Sequence, residues 1–560
     1  MTDLVLGPLL RHVDDTSATV WVETPGPGRV TVRAGDREAS AGTFAAHGHH
    51  YALVELTGLA PGSRTAYAVE VDGHEVWPSQ DPEQARFGPS VIATLQPGRP
   101  LRMAFGSCRV SLSHDAEGNA VHGVDALRAF ALEMADGGRG EEAPDWPDLV
   151  LFLGDQVYAD ETSPKMKEFI EQRRDPSVAP WYELKDYEEY AHLYHLAWTD
   201  PANRWLLSTL PSAMIFDDHD IRDDWNTSVD WRRKMESTSW WHDRVVSGLG
   251  SYWVHQHLGN LSPAERAEDA LWQRVRSHEG EGELDITDAL DELADAADQH
   301  PDSYRWSFCR DFDTQARLVV VDSRAARVLT PERRSILDEA EMDWLDERMR
   351  GDVDHLLVGT SLPFLMGPGL HHGEAFGEAL AEGAWGRALG SVGEKLRQAV
   401  DLEHWAAFQE GFVRLASMTL EVAAGRRGRA PGTITFLSGD VHHSYVAEAW
   451  PEPHSGIEVS SAIVQAVCSP IRNPLPPAMR VVMKVAALGT ARPRGRVLGG
   501  KVPRSPLWWR FTSGPWYDNN LAVLEVRGRR LRMRWWRGQD RGRAPDDPAL
   551  ELVAGVEVGP

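Results

Sequence analysis

Hydrophobic and polar positions follow two different patterns along the chain, and the change falls near residue 100. Before it, short segments such as residues 16–24 (TSATVWVET) alternate hydrophobic and polar side chains, and clusters of Gly and Pro separate them. Alternation at period two predicts half-buried β-strands, and turn signals between short strands are typical of a β-sandwich. We therefore predict a β-sandwich over residues 1–95 and a linker at 95–100, where Pro and Gly interrupt regular structure.

One segment of this region, residues 56–71 (LTGLAPGSRTAYAVEV), resembles immunoglobulin-like and fibronectin-type domains. Such domains carry a tyrosine whose hydroxyl pins a neighbouring loop, and Tyr67 occupies the matching place. We expect the Tyr67 hydroxyl to hold a loop in this way.

From residue 101 the hydrophobic runs become nearly continuous, and each ends in polar residues, as in 148–156 (DLVLFLGDQ) and 433–443 (TITFLSGDVHH). Strands that are hydrophobic on both faces are central strands with layers packed on either side. Helix-like segments alternate with them, which predicts an α/β layered domain over 101–470 with an acidic helical insertion at about 231–300. Ligands of such sheets gather beyond the strand ends, so we look there for chemistry.

Four of these strand ends carry side chains that can bind a metal. They are residues 106–108 (GSC), 154–158 (GDQVY), 217–220 (DDHD) and 439–443 (GDVHH). An Asp directly after a strand is more often a helix or turn cap than a ligand. A thiol, carboxylates, a phenol and imidazoles at four successive strand ends nevertheless indicate a metal site.

The acidic residues of these segments strengthen the prediction. Burying five carboxylates close together without cations would cost several kcal/mol per charge; they are Asp155, Asp217, Asp218, Asp220 and Asp440. An Asp-rich set favours a hard cation that prefers oxygen ligands, whereas a Cys and a Tyr beside it favour a transition metal such as ferric iron.

The four motifs, in this order, resemble those of the alkaline phosphatase D (PhoD-like) branch of the metallophosphoesterases. In that branch G-S-C, G-D-x-x-Y, D-D-H-D/E and G-D-x-H replace the D-x-H, G-D-x-x-D, G-N-H-E and G-H-x-H of other members, and all four replacements stand here. The N-terminal β-sandwich resembles that family's first domain. The resemblance covers about residues 5–450 and implies a metallophosphatase-type α/β/β/α sandwich that hydrolyses phosphoric esters.

The resemblance also implies a site of ferric iron and calcium, or another divalent ion in place of calcium. The implied iron ligands are Cys108, Tyr158 and His442, with Asp155 as the bridge, and the implied calcium ligands are Asp218 and Asp440. The two ions would clamp the phosphate oxygens and acidify a bound water, so that a metal-bound hydroxide attacks phosphorus in line. His219 would donate to the phosphate and act as the general acid.

Three neighbouring features leave questions open. Arg109, next to Cys108, could bind phosphate bidentately or pair with one of the many Asp residues. Asp223 adds a negative charge where the family often has Asn. Thr360 and Ser361 offer hydroxyls after the strand at which many metallophosphoesterases place a His.

Composition narrows the function further. The net charge of −26 disfavours a nucleic-acid scaffold, because a uniformly acidic surface repels a phosphate backbone. Three cysteines are no disulfide framework, and they suit a reducing compartment. We see no signal peptide and no run of about 20 apolar residues, so we predict a cytoplasmic protein, with a secreted mature form as the alternative.

The C-terminal region differs in charge from the rest. Residues 470–560 hold 17 Lys and Arg against seven Asp and Glu, a net charge of +10, and 522–538 is predicted as a hairpin. We predict closing strands and a basic flap over 471–560. The basic residues, among them Arg492, Arg494 and Arg496, could form a solvated face, a flap that attracts anionic esters, or a surface that docks on anionic lipid.

Two classes of function therefore stand side by side. One is a metal-dependent hydrolase of small phosphate esters, an alkaline phosphatase or phosphodiesterase. The other is a non-catalytic binding or adhesion protein, in which calcium stabilises an inactive α/β domain. The complete set of expected ligands favours the enzyme. The sequence leaves open the choice between monoester and diester and the oligomeric state.

Overall fold

The protein is described by a computed structural model that covers residues 4–137, 145–280, 282–330, 333–381, 403–476, 480, 504–540 and 546–560. Its first region consists of strands alone up to residue 77. The strands are β1 Leu6–Val13, β2 Ser17–Thr24, β3 Arg29–Ala34, β4 Arg37–Gly42, β5 Phe44–Ala46, β6 His49–Thr57, β7 Arg64–Val71, β8 His74–Trp77 and β9 Val91–Ala93.

These strands form the predicted β-sandwich. One sheet has the order β1-β2-β6-β5, and the other has the order β4-β3-β7-β8 with β9 paired to β7. The alternation in the sequence has a direct cause, since the inward side chains of both sheets make one core. Val20, Val54, Val32 and Val69 belong to it.

The second region contains two larger sheets. Its strands are β10 Arg102–Gly106, β11 Leu149–Leu153, β12 Ser212–Ile215, β13 Leu284–Asp285, β14 Phe308–Phe312, β15 Ala316–Val321, β16 Val328–Leu329, β17 Arg334–Ser335, β18 His355–Thr360, β19 Thr433–Ser438, β20 Ser444–Pro451, β21 Ala462–Val467, β22 Leu507–Trp516, β23 Asn520–Arg527, β24 Arg530–Gln539 and β25 Ala549–Val558.

The described strands of one sheet follow the order β12-β11-β10-β23-β24-β25, and those of the other follow β14-β15-β18-β19-β21-β20-β22. β10, β11 and β12 are parallel, as are β15, β18, β19 and β21. A core that includes Phe105, Leu151, Val320 and Leu437 fills the space between the sheets. Because both faces of the central strands are covered, their sequences read as continuous hydrophobic runs.

The described residues contain fifteen α-helices. They are α1 Pro82–Ala85, α2 Ala116–His122, α3 Ala126–Ala135, α4 Pro164–Arg173, α5 Tyr187–Trp198, α6 Pro201–Thr209, α7 Val229–Glu236, α8 Trp241–Tyr252, α9 Leu258–Asn260, α10 Pro263–Glu268, α11 Ala270–Arg276, α12 Thr287–Gln299, α13 Glu339–Arg348, α14 Pro368–Ala381 and α15 Gln409–Ala423. α3, α5 and α6 pack against the sheet of β10–β12, and α13 and α15 pack against the other. The α/β/β/α sandwich that we predicted is confirmed.

The C-terminal strands complete these sheets. β23 pairs antiparallel with β10, the strand that leads to Cys108, and β24 and β25 extend the same sheet. The predicted hairpin is β23–β24, with Arg527 opposite Arg530 across the turn. Arg492, Arg494 and Arg496 of the predicted flap lie outside the described residues. The boundaries proposed for the three domains stay a prediction.

The β-sandwich and the α/β region share contacts. β13, from the helical insertion, pairs with β5 and so adds a strand to the sandwich. The hydroxyl of Tyr67 does not pin a loop of the sandwich itself. It donates to the carbonyl of Ser208 in α6, 2.7 Å away. Among the described residues, no helix is both long enough and apolar enough to cross a membrane.

Candidate metal centre

The candidate centre forms where the two large sheets bring their strand ends together. β10, β11 and β12 end beside one another, at Gly106, Leu153 and Ile215, and β19 of the other sheet ends at Ser438. Two hydrogen bonds join neighbouring ends. The Cys108 N–H donates to the carbonyl of Gly154 at 3.2 Å, and the Asp440 N–H donates to Ser107 Oγ at 3.1 Å.

Several of the side chains at this point stand on strained backbone. Cys108, Asp155, Asp440 and His442 all have a φ between 49° and 65°, in the left-handed region that residues other than Gly rarely adopt. Strain of this kind persists only where the surrounding structure fixes it, and it concentrates at functional sites. Four such residues at one place therefore mark this point as a site.

The structure assembles two groups of potential ligand atoms, and Asp155 belongs to both. The first consists of Cys108, Asp155 and His442, and the second of Asp155, Asp217, Asp218 and Asp440. Within each group the ligand atoms lie within 4.8 Å of one another. A shared carboxylate is the arrangement that lets one side chain bridge two cations.

The residues fit the ions that the resemblance implies. Asp155 Oδ1 and Asp217 Oδ2 are buried, and neither has a hydrogen-bond partner among the described residues. Burying such carboxylate oxygens costs free energy unless a cation binds them. The first group supplies sulfur, nitrogen and oxygen, as a transition metal prefers, and the second supplies carboxylates alone, as calcium prefers.

Burial explains why these groups need a cation. Burial, and after it the charge of Asp155, raises the pKa of the Cys108 thiol well above its usual range. Burial also raises the pKa of Asp155, as do the neighbouring carboxylates. His219 opposes this rise at Asp155, but without a bound cation both groups favour their neutral forms, whereas metal ligation requires the ionised forms.

Tyr158 lies beside the first group. Its hydroxyl is 3.4 Å from Asp155 Oδ2 and accepts a hydrogen bond from Asn473 Nδ2 at 3.2 Å. Its ring centroid is 4.8 Å from that of His219. The structure thus places the Tyr158 hydroxyl next to Asp155, the carboxylate that both groups share.

His219 is positioned by a carboxylate. Its Nδ1 lies 2.9 Å from Asp160 Oδ1, and the imidazole lines a cleft of about 990 Å³ together with His442. Burial lowers the pKa of His219, but Asp160, together with Asp218 and Asp155, raises it well above the usual range. Because Asp160 engages Nδ1, Nε2 is the ring nitrogen left available to a ligand in the cleft.

Arg109 does not face the centre. Its side chain is buried, Nε donates to Asp125 Oδ2 at 3.0 Å, and Nη1 donates to the carbonyl of Ala197. Of the two roles open to Arg109 from the sequence, the structure gives it the pairing with an Asp. Asp125 is the N-cap of α3, and its second oxygen is available to Arg109.

The remaining open features have similar local explanations. The Asp223 side chain is 69% exposed and belongs to neither ligand group, although its Oδ1 is 3.9 Å from His219 Nε2. Ser361 Oγ bonds Ser323 Oγ at 3.0 Å, and Thr360 Oγ1 accepts from Trp405 at 3.4 Å. The hydroxyls at the end of β18 thus form hydrogen bonds within the protein.

Several further residues surround the centre and were not predicted. Arg324 is fully buried and pairs with Asp217, Asp218 and Glu403. His404 Nε2 lies 3.0 Å from Asp440 Oδ2, and its Nδ1 lies 3.0 Å from Glu374 Oε1. The only signal in the sequence was that Arg324 follows a hydrophobic strand, β15.

Asp220 has a structural role beside the ligands. Its Oδ2 accepts from the backbone N–H groups of Asp155 and Asp217, both at 2.9 Å, and so ties β11 to β12. Burial raises its pKa to about 7. Asp220 was one of the five predicted buried carboxylates, and it holds the ligand loops in place.

Two mixed sheets between helices, with a carboxylate-rich centre at the strand ends, define a metallophosphoesterase-type protein. The model of the PhoD-like phosphatase family matches residues 140–492, which is more than half of the chain. The chain therefore belongs to the PhoD-like phosphatase family. Residues 1–92 match a domain of unknown function, DUF7800.

Solved structures agree with this fold. A structure of PhoD matches over 100% of this chain and over 90% of the PhoD chain, with 13% identity and a TM-score of 0.58. The structure of purple acid phosphatase PPD1 from yellow lupin (Lupinus luteus) seeds matches over 99% of this chain and over 74% of the lupin chain. Its identity is 10% and its TM-score is 0.51. A search of curated proteins found no match.

Proposed function

We propose that this chain hydrolyses small phosphate esters with two cations, ferric iron in the group of Cys108, Asp155, Tyr158 and His442, and calcium in the group of Asp155, Asp217, Asp218 and Asp440. The observation that carries the proposal is Asp155, which belongs to both groups and keeps a buried oxygen without a partner among the described residues. When bound, the ions would supply positive charge to the phosphate oxygens and an activated water as nucleophile.

The chain's own residues supply the remaining chemistry. The His219 imidazole lines the cleft, and Asp160 fixes the orientation of the ring. Nε2 is therefore placed to donate a proton to the oxygen of the departing alcohol. A positioned acid of this kind contributes about 10²–10⁴-fold to a rate.

Arg324 and His404 hold the carboxylates of the second group. Arg324 neutralises part of the charge of Asp217 and Asp218, and His404 fixes one oxygen of Asp440. Partners of this kind orient the ligands and tune their affinity for the ion. With two cations the excess of negative charge at the centre is offset, and an anionic ester can approach.

The test combines metal analysis with hydrolysis. We expect elemental analysis of the purified chain to find iron and calcium, and we expect a chelator to abolish hydrolysis of nitrophenyl phosphate and of bis-nitrophenyl phosphate. The two substrates also separate monoester from diester preference. A metal-free chain that keeps its activity would refute the proposal.

The Asp155→Asn variant tests the shared ligand. Because Asp155 serves both groups, we expect the variant to lose both ions and its activity together. Asp311→Asn is the matched control, since Asp311 is 56% exposed and pairs only with Arg317 in the described structure. Retention of both ions by Asp155→Asn would contradict the assignment.

A further inference from the structure

Large hydrophobic side chains are exposed at four places among the described residues, and two of them line cavities next to the candidate centre. The four are Val121, Val178, Trp181 and Trp508, with Trp181 52% exposed. Val121 lines the cleft that contains His219 and His442. Trp181 lines a second cavity, and Val178 lies in the same loop. Exposed hydrophobic surface beside an active site commonly marks a ligand-binding surface.

The second cavity, which we call the Trp181 groove, reaches the centre directly. It has a volume of about 520 Å³, within the range of small-molecule sites. Tyr158 and Asp160 line its inner end, and its outer lining includes Lys167, Trp181 and Tyr182. A substrate whose phosphate lies at the metal centre can therefore extend into this groove.

The backbone of Trp181 adopts an unfavourable conformation that the surrounding residues maintain. Its φ is 58°, which is unusual for a bulky residue and costs on the order of 1–3 kcal/mol. Arg174 fixes the loop by donating to the carbonyls of Trp181 and Glu183, each at 2.6 Å. The buried Glu189 in turn accepts from Arg174 Nε at 2.7 Å. An exposed side chain does not require such a scaffold for folding.

The same loop is bonded to the segment that carries His219 and its partner. The Leu184 N–H donates to the carbonyl of Ala159, and the Ala159 N–H donates to the carbonyl of His219, both at 2.8 Å. Thr162 Oγ1 donates to the carbonyl of Tyr182 at 2.7 Å. Trp181 therefore keeps a fixed distance from the catalytic acid, as a preorganised subsite requires.

We propose that the Trp181 groove binds a flat aromatic ring carried by the alcohol part of the substrate, with the face of Trp181 as the stacking surface. Aromatic rings stack on exposed Trp faces regardless of their hydrogen-bonding pattern, so the class of ligand is defined by the ring. Lys167, whose Nζ lies 5.6 Å from the Tyr182 ring centroid, adds positive charge at the same end. The inference rests on the proposed function for the position of the phosphate.

Two esters of the same type of alcohol, with and without an aromatic ring, test the groove. Adenosine 5′-phosphate and ribose 5-phosphate release the same type of primary alcohol, and only the first carries an aromatic ring. We expect the ratio of their kcat/KM values to favour adenosine 5′-phosphate, to fall at least fivefold in Trp181→Ala through a higher KM, and to survive in Trp181→Phe. Trp508→Ala is the matched control, because Trp508 is 47% exposed on β22 and borders neither cavity among the described residues.

Calorimetric binding of adenosine 5′-phosphate to the metal-loaded chain separates this inference from the proposed function. If the native chain hydrolyses neither ester, the proposed function fails, while binding that weakens in Trp181→Ala still supports the groove. Equal effects of Trp181→Ala on both esters, or unchanged binding, would overturn the inference. A structural role for Trp181 would appear as a lowered melting temperature in Trp181→Phe as well.

Discussion

At the scale of single residues, the pair of His219 and Asp160 makes the sharpest prediction. His219 belongs to neither group of ligand atoms, and its Nδ1 is engaged by Asp160. We expect His219→Ala to keep its metal content and to lower kcat about 10²–10⁴-fold, with a smaller loss for nitrophenyl esters, whose leaving group needs no proton. His74→Ala, at an exposed position of β8, is the control. A loss of metal in His219→Ala would make this residue a ligand.

His404 makes a second prediction at the same scale, because it contacts a ligand and not the substrate. It joins Asp440 to Glu374 through bonds of 3.0 Å on both ring nitrogens. Loss of such a partner typically weakens metal affinity about 10–100-fold. We expect His404→Ala to need more calcium for half-maximal activity while its kcat at saturating calcium changes little. His454→Ala, exposed and distant in the sequence, should behave as the native chain does.

Which of these residues could be predicted depends on how each reaches the centre. Cys108, Asp155 and Asp440 directly follow hydrophobic strands, so the sequence pattern alone places them at an edge of a sheet. Glu374 and His404 belong to a helix and a loop outside the sheets, and only tertiary packing brings them to Asp440. Arg109 shows the opposite case, since its sequence neighbour is a ligand while its guanidinium turns to Asp125.

At the scale of elements, the close approach of strand ends depends on glycines. A Cβ atom added at Gly439 would collide with the side chain of Ser107, which accepts the N–H of Asp440. We expect Gly439→Ala to cost about 1–3 kcal/mol of unfolding free energy, as overpacking does, and to reduce the bound metal. Gly42→Ala is the control, because a Cβ atom there would meet nothing within 4 Å. An unchanged melting temperature and metal content in Gly439→Ala would show that the strand ends tolerate separation.

The elements themselves were predictable where one periodicity dominates. Alternating positions gave the sandwich strands, and continuous hydrophobic runs gave the central strands of the two large sheets. The segment 367–378 (GPGLHHGEAFGE) contains glycines, which are typical of a surface loop. The structure has a helix there instead, α14, which begins at Pro368 and buries His371 and Glu374 on one side. The two-residue strand β13 is too short for any periodicity, so its pairing with β5 had no signal in the sequence.

At the scale of the whole molecule, the β-sandwich and the α/β region share one hydrophobic core. Leu6, Leu9 and Trp21 of the sandwich share one hydrophobic cluster with Tyr190 and Trp253 of the helices. Arg11 of β1 reaches into the helical insertion and donates to the carbonyl of Gln256 at 2.6 Å. We predicted residues 1–95 and 101–470 as consecutive domains, because patterns report each segment separately, whereas this shared core depends on how their surfaces fit.

Such a shared core predicts that the two regions unfold together. We expect calorimetry of the full chain to show one transition, and we expect Tyr67→Phe, which leaves the carbonyl of Ser208 without its bond from the sandwich, to shift that whole transition downwards. The loss of one buried hydrogen bond lowers the free energy of unfolding by about 1 kcal/mol. Tyr182→Phe is the control, since its hydroxyl bonds Glu171 at the surface. Two separate transitions, with only the first moved by Tyr67→Phe, would show that the sandwich folds as an independent unit and that its contacts with α6 do not couple it to the metal centre.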